Sequence, residues 1–495
     1  MNRLKNSKII VLEIVSGRNH IKYRLKDIGR YVFVFIFLLI QQFSHAQTLE
    51  ASFTTLAGSK DQLPFWLWAG QLGRYDREDA ANQRFGLEGV YVRNFGKSGL
   101  GFEAGGSFDA FIYSDNPFRF TELYGKIHWN FLELSAGAFA DQEKYMGLSA
   151  SNGNMASARN ARPHPKLRAG FNRFVPLVFP WFSIYGFYEE GLLNDKRYVS
   201  DTHLHRKALY VRLGSADNLS FTGGLEHFVM WGGTHPVYGK LPGWESYFSY
   251  VFGMAGGNNA LQTDQLNVLG NQYGVYQLDI RKKWKDYSLS FYLGHPFEDH
   301  SGMELENLPD NLYGLFFENR HENAILQGAS LEYYYTQNQS GAFHMALQPD
   351  GARKGHGRDN YFNHGVYRSG ASYQQTAMVS PFFGPEIRND SISTGFLSTR
   401  FSGVHLGARG DISESFHWKG MISYIKHLGN YTTDGLDSFD PPRKQFSSLV
   451  GIEWKEPGSP VSLGGSFAFD SGSVYDAGTQ TKRLGISVSI RWAID

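Results

Sequence analysis

Several clusters in this chain combine side chains able to bind metal, sugar or protons. His295-Pro296-Phe297-Glu298-Asp299-His300 brings two imidazoles and two carboxylates together, donors suited to Zn or Mn. Pro296 rules out the helical i, i+4 spacing that makes paired histidines a metal motif, so the reading is a polar loop, with no metal and no cofactor. Glu226 and His227 are neighbours. On a strand they point to opposite faces and form no acid–base pair. With Trp231 and His235 nearby, they either line a glycan groove or pack a lumen. The densest polar cluster is Arg353, Lys354, His356, Arg358, Asp359, Asn360 and Tyr361. Arginine pairs a uronate carboxylate bidentately. Tyrosine offers a face to a sugar ring, and Asp and Asn exchange hydrogen bonds with hydroxyls. Gly351, Gly355 and Gly357 equally suit a plain solvated turn. Trp231, Trp244, Tyr247 and Tyr250 lie on or beside a long loop, where aromatic rings stack on sugars or form an interfacial girdle. The residues selected for glycan contact are therefore Trp231, His235, Trp244, Arg353, Arg358, Asp359, Asn360 and Tyr361. The chain has no phosphate-binding G-x-x-x-x-G-K-[ST] loop, no G-x-S-x-G elbow and no H-E-x-x-H, so no motif supports catalysis.

The elements that hold these clusters follow from composition and periodicity. Of 495 residues, 42% are hydrophobic and 16% aromatic, with 56 Gly. The 48 basic and 47 acidic residues give a net charge of +1, which leaves no footprint for nucleic acid. Cysteine is absent, which excludes disulfides, thiol catalysis and thiolate metal sites. One segment, Tyr31 to Ile40, is strongly apolar and follows Arg24, Lys26 and Arg30. As a helix it spans about 15 Å, half of a bilayer core of about 30 Å. With Ser44 and Ala46 two apart after it, residues 1–46 read as a signal peptide cleaved before Gln47.

The remainder is a succession of period-two segments. In the last of them Leu484, Ile486, Val488, Ile490, Trp492 and Ile494 share one face, and Gly485, Ser487, Ser489 and Arg491 share the other. Gly101–Ile112, Leu219–Phe228 and Val461–Asp470 alternate in the same way. Each is about 10 residues long, the length a tilted membrane strand needs, whereas strands of soluble sheets average about 5 or 6. The fold class predicted is all-β: a transmembrane antiparallel barrel of about 18 strands (roughly 16–20), over 85–495. Residues 47–84 hold Leu63-Pro64-Phe65-Trp66-Leu67-Trp68-Ala69 and read as a short helical or plug-like segment, with a first strand after a turn as the other option. Connections alternate between short and long, with long ones near 141–166, 229–272, 296–323, 427–444 and 471–481. The alternation slips once between 336 and 398, which predicts a missed or extra strand there.

Six short motifs, in order, resemble the Wzi-type capsule assembly proteins of Bacteroidetes. They are Pro64–Ala69 with Gly73, Arg159–Pro163, Gly191–Val199, Gly224–Phe228 with Trp231–Thr234, Leu293–Asp299, and Asp359–Asn363. The resemblance implies an outer-membrane barrel of about 18 strands, with helices near its N-terminus. It further implies a non-catalytic, lectin-like protein that sits among outer-membrane lipid and holds capsular or exopolysaccharide at the cell surface; the sequence leaves the oligomeric state open, with a monomer favoured. The other functional class left open is a passive porin or uptake channel, since the polar faces carry Glu103, Asp109 and Asp470.

Overall fold

A computed structural model describes residues 48–112, 117–255, 268–298, 300–343, 346–347, 353–354 and 357–494. Residues 1–46, read from sequence as a signal peptide, lie outside the described residues. The wall of the molecule is one closed antiparallel barrel of 18 strands. These are β1 (Thr48–Gly58), β2 (Ala81–Asn94), β3 (Leu100–Ile112), β4 (Phe118–Trp129), β5 (Leu132–Ala138) and β6 (Pro165–Phe171). Then come β7 (Phe182–Leu193), β8 (Thr202–Gly214), β9 (Leu219–Trp231), β10 (Asn271–Lys283), β11 (Tyr287–Phe297) and β12 (Asn311–Asn319). The last six are β13 (Gly328–Tyr335), β14 (Arg400–Ser413), β15 (Phe416–Gly429), β16 (Arg443–Trp454), β17 (Val461–Gly472) and β18 (Thr481–Ile494). Each strand pairs with its neighbours in the chain. The sheet closes where β1 meets β18, in register from Leu49↔Ile494 to Gly58↔Gly485. Closure leaves no unpaired edge, which is the condition for a sheet in lipid.

The period-two pattern sorts the faces. Ile486, Val488 and Trp492 are each more than half exposed on the outside of β18, while Arg483 and Gly485, in the opposite phase of the strand, are buried inward. Connections at one end are short, such as Asn130–Phe131 and Glu414–Ser415. Asn130 takes φ +55° there, in the left-handed region that Asn tolerates better than most residues. Connections at the other end are long: 59–80, 139–164, 232–270 and 336–399 are the largest.

Three placements differ from the sequence reading. The barrel begins at β1, inside the segment read as plug-like, and only 59–80 folds inward, with helix α1 at Phe65–Trp68. Among the described residues, no barrel strand lies between 336 and 398. That stretch is one long connection whose described residues form small hairpins, such as Glu386–Asn389 with Ile392–Phe396. The lost phase lies earlier, at β12, which the sequence reading merged into a loop at 296–323. Both faces of β12 are apolar: Leu312 and Phe316 are buried inward and Leu315 is exposed outward, so alternation has nothing polar to mark it.

Candidate functional site

The lumen is filled from the long-loop end. Segments 59–80, 139–164 and the described part of 336–399 fold inward and bury their apolar side chains together. An unbroken file of rings crosses the interior. It runs Phe228, Tyr273, Phe362, Phe383, Phe401, Tyr334, Phe382, Phe65 and Tyr475, with successive centroids 4.7–6.4 Å apart. Polar contacts tie this plug to the wall. Phe65 N–H donates to Asp470 Oδ2 of β17 at 2.8 Å. Asn160 accepts from Gly70 N–H at 2.9 Å and donates to the Ala377 carbonyl at 3.0 Å, joining all three segments. Gly73 has φ +60°, and a Cβ there would meet Arg162 N at 2.9 Å, so only glycine permits this approach. Toward the short-turn end, the inward-facing Glu103, Lys126, Asp279 and Arg281 are half-buried and Arg491 is exposed, so that half of the lumen is wet.

Between the plug and the wall of β6–β10 lies a recess of about 540 Å³, mouth included. Its frame is a ladder of charges on the inward faces of adjacent strands. Arg168 on β6 donates to Glu189 on β7 at 2.7 Å and to Asp141 at 2.8 Å. Arg206 on β8 donates to Asp141 at 2.7 Å and to Glu226 on β9 at 2.6 Å. The guanidiniums also face rings: Arg168 lies 4.4 Å from the Phe187 centroid, and Arg206 lies 5.0 Å from Phe228. Burial pushes the Asp141 carboxyl up, but the Arg206 and Arg168 charges outweigh it and hold the group well below the usual carboxylate range. Burial, with Lys166 beside it, pushes the His164 imidazole down to about 3.

His164 therefore makes the recess acid-sensitive. Unfolded, it binds a proton near pH 6.5. Folded, it stays neutral until about 3. Its contribution to stability is complete above pH 6.5 and is lost as pH falls through that interval, because only the opened state takes up the proton. Hydrogen exchange at the backbone of 158–164, corrected for intrinsic pH dependence, should accelerate at least tenfold between pH 7 and pH 4. His164→Gln should flatten that response; an unchanged pH profile in the variant would remove His164 as the cause.

The family model described as "Capsule assembly protein Wzi" matches residues 39–400, well over half of the chain. The chain belongs to the Wzi capsule assembly family. No curated protein matches it. Among the solved structures similar to it is OprD of Pseudomonas aeruginosa, described as an outer membrane protein. OprD of Pseudomonas aeruginosa is 10% identical, covers 90% of this chain and 94% of its own, and has a TM-score of 0.45. OccAB3 of Acinetobacter baumannii is 10% identical, with coverages of 90% and 98% and a TM-score of 0.46. OpdL of P. aeruginosa is 9% identical, with coverages of 91% and 99% and a TM-score of 0.47. This Wzi-family barrel is an outer-membrane protein, and its short turns and long loops fit the periplasmic and external ends of such barrels.

The residues selected from sequence do not form one site. Trp231 lies on the outward face of β9, the face that carries Leu219 and Phe221. It is 1% exposed, stacked on His203 at 4.4 Å and covered by Trp244 at 4.7 Å. The cover is a strap within 232–255 containing helix α2 (Tyr247–Phe252). His235 is buried in the same strap, stacked on Tyr238 at 4.3 Å. Trp244 is 62% exposed. Tyr361 sits in the plug, fully buried, where its hydroxyl donates to Asp310 and accepts from Asn307 Nδ2. Asp359 is buried and accepts from Ser340 Oγ at 2.8 Å. Arg358 is half-buried with φ +59°. Asn360 is exposed and accepts from Thr399 Oγ1 and Asn363 Nδ2, each at 3.0 Å. The Arg353 side chain lies outside the described residues. His295 Nδ1 lies 3.0 Å from Asn311 Oδ1. Among the described residues, no three His, Asp or Glu side chains converge as metal ligands.

The charge ladder was missed in sequence. Its signal exists: Lys166 and Arg168, Glu189, Arg206 and Glu226 each fall on the inward phase of their strand. It becomes a cluster only through the registers Arg168↔Glu189 and Glu189↔Arg206, which periodicity alone does not set.

Proposed function

We propose that this protein holds capsular or exopolysaccharide at the outer surface as a non-catalytic, lectin-like anchor. Membership of the capsule assembly family over residues 39–400 carries the reading. The filled lumen supports it, because a passive channel needs a continuous wet path and the file of rings crosses that path. Glycan contact is proposed on the loop side, through the exposed Trp244 and Asn360 and the half-buried Arg358. Trp231 packs beneath Trp244, His235, Asp359 and Tyr361 are buried within the same connections, and Arg353 is proposed with them from its place beside Arg358 in the sequence.

Deletion of the gene should leave the amount of polymer synthesised unchanged and shift most of it from the cell-bound fraction to the medium. Normal retention of polymer on the deleted strain would refute the anchor role.

A further inference from the structure

The recess beside the charge ladder holds groups that the fold itself leaves unsatisfied. Glu189 Oε1, His164 Nε2 and Arg162 Nε are buried without a hydrogen-bond partner. The Glu189 side chain is only 1% exposed. Buried polar atoms are paired in the great majority of cases, and three orphans lining one recess mark a place built for something else. Their arrangement specifies the chemistry. Glu189 Oε1 and His164 Nε2 are 3.9 Å apart, too far for a direct hydrogen bond. One hydroxyl oxygen bridges that gap, donating to the carboxylate and meeting the imidazole nitrogen on its other side. Lys166 Nζ is also 3.9 Å from the same carboxylate oxygen, within reach of the same hydroxyl.

The charge balance adds a second requirement. The lining carries Arg159, Arg162, Lys166 and Arg206 against Asp141 and Glu189, and both carboxylates are already engaged by Arg168 and Arg206. Among the described residues Arg162 makes no ion pair. Its guanidinium is a fork suited to a carboxylate. Phe228, Phe139 and Leu204 supply apolar surface in the same lining, as the C–H face of a pyranose ring needs.

We propose that the recess binds one acidic sugar unit, a hexuronate, with its carboxylate on Arg162 and a ring hydroxyl between Glu189 and His164. This rests on the polysaccharide reading for its biological sense, but the chemistry is testable apart from it. The full-length protein in detergent is titrated calorimetrically with glucuronate, glucose and inorganic phosphate. Glucuronate should bind at least tenfold more tightly than either of the others, since glucose lacks the carboxylate and phosphate lacks the ring. Arg162→Gln should weaken glucuronate at least tenfold, and Arg162→Lys, which keeps the charge, should recover part of the loss. His164→Gln gives an independent reading should Arg162→Gln fail to fold. Glucuronate bound no better than glucose, phosphate bound as tightly as glucuronate, or unchanged affinity in both variants would each overturn the proposal. If the deleted strain retains its polymer while glucuronate still binds through Arg162, the anchor reading fails and the recess stands as an acidic-sugar site.

Discussion

Replacing Glu332 with alanine should release segment 139–164 from the wall and open the lumen. Glu332 lies on the inward face of β13 and is fully buried. Its Oε1 accepts from Ser149 Oγ at 2.5 Å and Tyr292 OH at 2.8 Å. Its Oε2 accepts from Ala150 N–H at 3.0 Å and Tyr334 OH at 2.8 Å. One carboxylate thus serves four donors and joins three barrel positions to the inward segment. Alanine leaves Ser149 Oγ and Ala150 N–H without this acceptor, each costing about 1–3 kcal/mol, while Tyr292 OH and Tyr334 OH keep Ser330 Oγ and Ser151 Oγ as partners. Even two that fail to find water would exceed the roughly 1 kcal/mol typical of a point substitution. Glu332→Gln should be milder but still harmful, because its amide nitrogen becomes a donor facing Ala150 N–H and Tyr334 OH. Three measurements check this. The wild type should show no sustained conductance in planar bilayers, whereas Glu332→Ala should show openings. Trypsin should cut the variant at Lys144 or Arg159 while sparing the wild type. Its thermal transition in detergent should fall by several degrees. A silent, protease-resistant variant would show that the carboxylate does not hold the plug.

The features easiest to read in the sequence are those where the two sheet faces meet different surroundings. β18 is legible because lipid-facing Leu484, Ile486 and Val488 alternate with Gly485, Ser487 and Ser489 over a polar interior. β12 and β1 are illegible for the converse reason. Leu312, Phe316 and Leu56 point inward and meet an apolar plug, so inside and outside demand the same residue types. Phe316 packs on Tyr145 of the inward segment with ring centroids 5.4 Å apart, a contact that connects residues far apart in the chain. Loop sequences mislead in the same way. Asp359–Tyr361 carries the polar and aromatic types of a sugar-binding surface, yet Tyr361 and Phe362 are fully buried in the lumen. The six family-like motifs fall largely on such docking contacts: Phe65 on Asp470, Asn160 between two segments, Asn194 accepting from Tyr373 OH at 2.6 Å, and Gly232 O accepting from Tyr367 OH at 3.2 Å. They are therefore chemically scattered in the sequence and contiguous in the interior. The charge ladder needed strand register, and the recess needed the plug, neither of which period two encodes.

Spin labels on the outer strap should report lipid, and a single substitution in the wall beneath should remove them from it. The strap lies against the outside of β7–β9. Tyr247 packs on Trp231 at 5.3 Å, and Tyr250 packs on it at 5.5 Å. Tyr250 OH donates to the Pro242 carbonyl at 2.7 Å. Beneath the strap, Glu190 on the outward face of β7 pairs with His205 Nδ1 at 2.6 Å and also accepts from Tyr247 OH. Polar groups on a lipid-facing wall are costly unless covered, and the strap covers them. Its own outer side then carries Phe248 and Phe252, 73% and 69% exposed. Because the chain has no cysteine, Phe248→Cys and Phe252→Cys can each take one nitroxide without background. In vesicles both labels should be accessible to oxygen and shielded from a water-soluble nickel chelate, while a label at the exposed loop residue Asp434 should show the reverse. Trp231→Ala removes the ring on which the strap rests, a truncation of the kind that costs roughly 3–5 kcal/mol in a core. In that background the Phe248 label should become several-fold more accessible to the chelate. A label that favours the chelate in the wild type would place the strap in water and leave its exposed rings without a lipid role.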